Sequence, residues 1–199
     1  MKNLSNFFLI LIFIFKFTFL SAYSSDPKSF ISELVTDAIE KLSSTSLSKE
    51  EKIQFISEVA LNNVDIKALG LYTLGELRKS ADKQNIETYQ QAFEKYFLKS
   101  LTSRLKDYSS SKFEIVSSDK KSSNYTIVSS KIVPDDGKPE IKIDWRIYTK
   151  NPEKPLIRDL IVEGLSLART QKEEFKSVIQ NNNNDINALF KTLEDFINK

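Results

Sequence analysis

The chain changes its hydrophobic period twice. Between Pro27 and Leu42 the apolar residues Phe30, Ile31, Leu34, Val35, Ala38, Ile39 and Leu42 recur at steps of three and four, the spacing of one helix face. Ser43-Ser44-Thr45-Ser46 interrupts that face. Ser48 and Glu51 then spell a capping box ahead of Ile53, Phe55, Ile56, Val59 and Ala60. A further helical stretch runs from Val64 to Lys79 and contains Gly70 and Gly75. Glycine inside a helix costs about 1 kcal/mol against alanine, so this stretch predicts a bend or a close packing contact and not one straight rod. The strongest helical signal runs from Gln84 to Tyr108, where Tyr89, Phe93, Tyr96, Phe97, Leu101, Leu105 and Tyr108 form a broad apolar stripe.

From Phe113 the period becomes two. Phe113 to Val116 and Tyr125 to Val128 begin two strands. Ile141, Ile143, Trp145 and Ile147 alternate with Lys142, Asp144, Arg146 and Tyr148 in a third, and Leu156 to Val162 is a fourth. The intervening segments are rich in Ser, Asn, Asp, Gly and Pro and too short for crossover helices, which predicts an antiparallel meander. The fourth run is apolar on both parities, so both of its faces should be covered. The helical period then returns. Thr170 and Glu173 spell another capping box before Phe175, Val178 and Ile179. Asn181 to Asn184 break that helix, and Asp185 is placed to cap a last one carrying Ile186, Leu189, Phe190, Leu193, Phe196 and Ile197. Helices, four strands, then helices describe a single α+β domain, a four-stranded antiparallel meander wrapped by helices.

The N-terminus reads as a secretory signal. A short basic start, Met1-Lys2-Asn3, is followed by an apolar run from Leu4 to Leu20 and by Ser21-Ala22-Tyr23-Ser24, which offers small residues to a signal peptidase. Cleavage after Ser24 and cleavage after Ala22 both fit. The division expected is a leader over 1–24 and one domain over 25–199. A membrane anchor is the rival, but the run is shorter than the ~20 residues of a span and Lys16 interrupts it.

Composition narrows the chemistry. The chain has no Cys and no His, which removes disulfides and the usual zinc, copper and iron–sulfur ligands. Losing Lys2 and Lys16 with the leader leaves 27 basic against 27 acidic residues, a balance without a nucleic-acid footprint. Gly164-Leu165-Ser166-Leu167-Ala168 nearly spells a nucleophile elbow, yet a chain without histidine has no base to take the Ser166 proton in a Ser-His-Asp arrangement. The plainer reading ends a strand at Gly164 and starts a helix after it.

Several blocks together resemble the MlaC family of periplasmic phospholipid-binding proteins, also known as toluene-tolerance proteins. Glu163-Gly164-Leu165-Ser166-Leu167, Thr170-Gln171-Lys172-Glu173-Glu174-Phe175 and Ser177-Val178-Ile179 are similar to that family's EG-[IV]-SL…TQ-[RK]-x-EF-x-S-x-I block. Leu74-Gly75-Glu76-Leu77-Arg78-Lys79-Ser80-Ala81 with Gln84 resembles its LG-x-x-W-R-x-A segment, with Leu77 in place of Trp. Tyr89, Ala92-Phe93 and Tyr96-Phe97 add a third match, and the Asn181–Asn184 run stands where a Gly turn is common.

The resemblance implies a monomeric periplasmic lipid carrier and not an enzyme, with no cofactor. It implies a curved sheet wrapped by helices, like the nuclear-transport-factor cone, whose apolar cavity takes the two acyl tails of a phospholipid. It also implies two partners, an inner-membrane ATP-driven transporter complex with an MCE-domain component and an outer-membrane lipoprotein–porin complex. The residues expected to face the tails are Val128, Ile143, Trp145, Ile147, Leu160 and Val162 on the sheet, with Phe93, Phe97 and Leu101 on the long helix. Two rivals stay open. One is an isomerase-like enzyme on the same cone with Asp144 or Asp159 as base, and the other is a periplasmic chaperone or adaptor without a small ligand.

Overall fold

A computed structural model describes residues 23–104, 111–134 and 138–199. Helix α1 (Pro27–Ser43) is capped by Asp26, whose carboxylate accepts the Ser29 N–H, with Pro27 at its first position. Helix α2 (Lys49–Asn63) starts with the expected capping box, in which Ser48 and Glu51 each accept the other's backbone N–H. Helix α3 (Ile66–Thr73) follows after Asp65, which caps it, and a 3-10 turn spans Gly75–Lys79. The two glycines of this stretch do different things. Gly70 lets α3 approach the next helix, because a Cβ there would stand 2.8 Å from Gln90 Oε1 and 3.0 Å from Phe93 Cδ1. Gly75 makes the bend, at a φ of 65°. Helix α4 (Lys83–Arg104) is the long apolar stripe; Leu105 and Tyr108 lie outside the described residues.

The sheet is an antiparallel meander in chain order, β1 (Ser111–Lys120), β2 (Tyr125–Pro134), β3 (Ile141–Tyr148), β4 (Leu156–Val162) and β5 (Leu165–Ser166). Among the described residues five strands stand where four were expected. The fifth is two residues long and pairs Leu165 and Ser166 back onto β4 through a tight turn. Glu163 and Gly164 form that turn with φ of 48° and 80°, the doubly positive pair of a type I′ hairpin. Glu163 holds it by exchanging bonds with Lys142, whose N–H meets the Glu163 carboxylate at 2.5 Å and whose carbonyl accepts the Glu163 N–H at 3.0 Å.

Helices α5 (Leu167–Gln180) and α6 (Ile186–Ile197) complete the chain. The break between them is the Asn run, with Asn183 and Asn184 in left-handed conformation at φ 56° and 60°. Asp185 caps α6, as expected. The start of α5 departs from expectation. Its N-cap is Ser166, whose hydroxyl accepts the Arg169 N–H at 3.0 Å. Thr170 lies inside the helix and donates its hydroxyl to the Ser166 carbonyl. The S/T-x-x-E pattern at Thr170–Glu173 is thus a turn too late, because the strand ends at Ser166 and leaves no loop between the two elements.

The interior is divided. One cluster gathers Phe30, Ile31 and Leu34 of α1, Val59 of α2, and Val128, Ile147 and Ile157 of the sheet. The other gathers Ile66, Leu74, Tyr89, Phe93, Phe175, Ile179, Leu189 and Leu193 from α3 to α6. Val64, at the end of α2, packs against both.

Candidate functional site

The inner face of the sheet is the apolar surface that the fold presents to α1 and α2. Alternation along β2 turns Thr126, Val128, Ser130 and Ile132 inward, all buried, while Tyr125, Ile127 and Ser129 stay half-exposed. Across β3 they meet Ile147, Trp145, Ile143 and Ile141 in register. Leu160 pairs with Trp145 and Val162 with Ile143 on β4. Phe113 and Ile115 of β1 pack against the same cluster, and the Phe113 ring stands edge-on to the Trp145 indole with centroids 6.4 Å apart.

Two bulges shape this face. The register slips between Arg146 and Ile147, so Arg158 is an extra residue on β4. Ile157 therefore shares the inner face with Leu160, although they are three positions apart. A second slip leaves Val116 of β1 unmatched and largely exposed. The apolar double parity of the fourth strand has this origin in part. Ile157, Leu160 and Val162 look inward, and Leu156 and Ile161 look to the other side.

Trp145 is only half-buried, and its polar edge is satisfied within the sheet. The indole N–H donates to Ser130 Oγ at 2.9 Å, and that hydroxyl donates to the Ile143 carbonyl at 3.0 Å. Ser130 is a buried polar residue in an apolar wall. Because both of its partners belong to the wall, the indole presents its hydrocarbon body to the interior at no cost in unpaired polar atoms.

Six of the nine residues expected to face acyl tails come together here. Val128, Ile143, Trp145, Ile147, Leu160 and Val162 share the inner face. Phe93 and Phe97 do not join them. The Phe93 ring stacks on Tyr89 and Phe97 and stands at right angles to Phe175, in the helical cluster. The stripe on α4 is occupied by α3, α5 and α6, so periodicity found a true apolar face whose partners are helices. Leu101, near the end of α4, is half-buried. Sequence reasoning missed Ile157 because a bulge inverts parity in a way no alternation shows. It missed Tyr23, Phe30, Ile31 and Leu34 because the period of α1 marks a face without saying which element covers it.

The polar candidates serve the fold. Asp159 is 4 % exposed and lies on the outer face, opposite Leu160. Its carboxylate accepts the Ser166 hydroxyl at 2.6 Å and the Ala168 N–H at 3.0 Å, with Arg146 at 3.7 Å. Ser166, for its part, donates to Asp159 and accepts from Arg169. Asp144 pairs with Ile161 on that same outer side, away from Trp145. Both carboxylates proposed as a base therefore turn away from the apolar face. Among the described residues no three His, Cys, Asp or Glu side chains gather closely enough to hold a metal ion.

A second polar group ties the sheet to the helices. Arg158, the bulge residue, donates from Nε and Nη2 to Asp65 Oδ2 at 2.8 and 2.7 Å and from Nη1 to the Tyr125 hydroxyl at 2.9 Å. Its guanidinium lies 3.4 Å from the centre of the Tyr148 ring. Asp65 also caps α3 and donates its own N–H to the Ile157 carbonyl.

The family model for "MlaC protein" matches residues 32–195. The chain belongs to the MlaC family. Among solved structures, that of a phospholipid-binding protein from Ralstonia solanacearum in complex with a phospholipid has a similar fold. The TM-score is 0.71 and the identity 15 %, over 85 % of this chain and 96 % of that one. No curated protein matches the chain. At that identity the similarity speaks for the fold, which is the expected α+β arrangement of helices around an open antiparallel sheet.

Proposed function

We propose that this MlaC-family chain is a phospholipid carrier, a binding and transport protein and not an enzyme. It buries acyl tails against the inner face of its sheet and moves lipid through the periplasm between an inner-membrane ATP-driven complex and an outer-membrane lipoprotein–porin complex. The effect would be to maintain the lipid asymmetry of the outer membrane. The observation that carries this reading is the largely apolar wall from β1 to β4, whose buried Ser130 hydroxyl is bonded within the wall and accepts the indole N–H of the one tryptophan. Val128, Ile143, Trp145, Ile147, Leu160 and Val162 are the residues assigned to the tails. The phospholipid held by the Ralstonia protein on a similar fold supports the same ligand class.

Energetics explain why such a carrier is needed. Each methylene withdrawn from water contributes about 0.8 kcal/mol, so a sixteen-carbon tail represents on the order of 10 kcal/mol. A lipid crossing water unaided exposes two such tails. A protein that shields both binds tightly and depends on a partner for release.

Trp145 is the chain's single tryptophan and supplies the test. Protein purified without detergent should yield phospholipid on solvent extraction and mass spectrometry. Phospholipids brominated along the acyl chain should then quench Trp145 emission on exchange, whereas headgroup-labelled ones should quench it far less. Repeated extraction without lipid, or bromine that leaves the emission unchanged, refutes the assignment.

A further inference from the structure

Tyr23 and Ser24 are fastened into the fold. The Tyr23 ring stands edge-on to Phe30 with centroids 6.3 Å apart, and it packs against the cluster beneath the inner face of the sheet. Its hydroxyl donates to Asp37 at 2.7 Å. Burial, with the Asp37 carboxylate second, pushes the phenol well above its ordinary range. The Ser24 N–H donates to the Glu33 carboxylate at 2.7 Å, and the Ser24 hydroxyl accepts the N–H of Asp26, the residue that caps α1.

The leader pattern permits two cuts. One lies between Ala22 and Tyr23 and the other between Ser24 and Ser25. The second would discard every contact just described, including two hydrogen bonds to carboxylates and an aromatic ring packed against the cluster beneath the wall. The first discards none of them. We propose that the exported precursor is cut between Ala22 and Tyr23, so that Tyr23 is the first residue of the mature chain and stays packed against the cluster beneath the sheet. The reaction is amide hydrolysis by a signal peptidase. Water adds across the bond, Ala22 keeps the carboxylate and Tyr23 takes the amine, with no change of oxidation state. The ammonium so formed belongs to the residue whose hydroxyl meets Asp37 and adjoins the N–H that meets Glu33. The new positive charge thus appears one residue before the N–H that Glu33 accepts.

This inference rests on the export proposed above, and its test separates the two. The full-length precursor is expressed in a Gram-negative host, and the periplasmic product is read by intact mass and N-terminal sequencing. The expected sequence begins Tyr23-Ser24-Ser25-Asp26. A periplasmic chain beginning at Ser25 overturns the cleavage site alone, and a chain retaining Met1 in the cytoplasm overturns export as well. Ser24→Lys gives an independent reading. It places a long cation beside the Ser24–Ser25 bond but two residues past Ala22, so processing should continue at the unmutated extent. Loss of processing in Ser24→Lys assigns the cut to Ser24–Ser25 and refutes the proposal.

Discussion

Replacing Asp159 by alanine should unfasten α5 from the sheet. The carboxylate is almost wholly buried and accepts from Ser166 Oγ and from the Ala168 N–H at the first turn of α5. Hydrogen bonds to a charged group contribute about 1.5–3 kcal/mol each, and the pair therefore places the loss at roughly 3–6 kcal/mol. Arg146 adds little, because its side chain is 46 % exposed and 3.7 Å away, and such pairs contribute under ~1 kcal/mol. Water entering the vacated space recovers part of what the Ala168 N–H loses, so about 4 kcal/mol is expected. That is a large part of the 5–15 kcal/mol that holds a typical domain together. At ~2–4 °C per kcal/mol for a domain of this size, the melting temperature should fall by about 8–16 °C. Asp159→Asn keeps one acceptor for Ala168 and should cost about half as much. Ser166→Ala removes the N-cap, at about 1 kcal/mol, and one of the two bonds to Asp159, so it should cost about 2.5–4 kcal/mol. The double variant should cost less than the two singles added, because the residues share a bond. Urea denaturation followed by circular dichroism and by Trp145 emission measures all four. A loss below about 1 kcal/mol for Asp159→Ala, or strict additivity with Ser166→Ala, would show that this contact does not anchor the helix.

Two further outcomes follow from polar groups outside the lipid-facing wall. Arg158→Lys should destabilise by about 1–2 kcal/mol in the same denaturation assay, because one ammonium cannot hold Asp65, reach Tyr125 and stack flat on Tyr148 together; a neutral result would refute the clamp. Tyr89 is fully buried and bonded to Thr73 at 2.8 Å, and burial raises its phenol above the ordinary range. The unfolded chain loses that proton first, at a pH near 10, so the contribution to stability is intact below that pH and declines as pH rises beyond it. Tyr89→Phe should flatten the fall in denaturation midpoint between about pH 10 and 12, and an unchanged slope would refute the argument.

Elements whose cause is local were legible in the sequence. The period of α1, the reciprocal cap of Ser48 and Glu51, the alternation of β3, the Asn turn and the cap at Asp185 each depend on residues a few positions apart. What escaped depends on register or on distant partners. Two Ser/Thr residues, Ser166 and Thr170, could each begin α5 by local spelling. The choice is made by Asp159, seven positions upstream, whose carboxylate accepts the Ala168 N–H and thereby sets the first turn. The stripe on α4 was likewise real, but a stripe does not name its partner. Phe93 went to Phe175 and not to the sheet because α5 is held against α3 and β4 from the other side.

The fourth strand reconciles these demands. Leu160 and Val162 must face inward to continue the wall, and Asp159 between them and the bulge faces outward to cap α5. Strict alternation would then place Ile157 outward as well, breaking the wall and taking Ile157 out of the cluster it shares with Phe30 and Val59. The bulge at Arg158 supplies the missing half-period. It also frees a long cation to reach Asp65 at the start of α3. One inserted residue thus lets a single strand complete an apolar face, cap one helix and clamp another. The block after it, from Glu163 to Phe175, which resembles the family's EG-[IV]-SL…TQ-[RK]-x-EF spelling, is constrained for a related physical reason. A two-residue turn, a two-residue strand and a capped helix follow one another there without a loop, so few substitutions satisfy all three. The apolar face nearby needs only hydrophobic bulk on the correct parity, and many sequences provide that. The residues that resemble the family's spelling are therefore those that hold the strand-to-helix junction in place, while the residues that would meet the lipid are chemically the least distinctive in the chain.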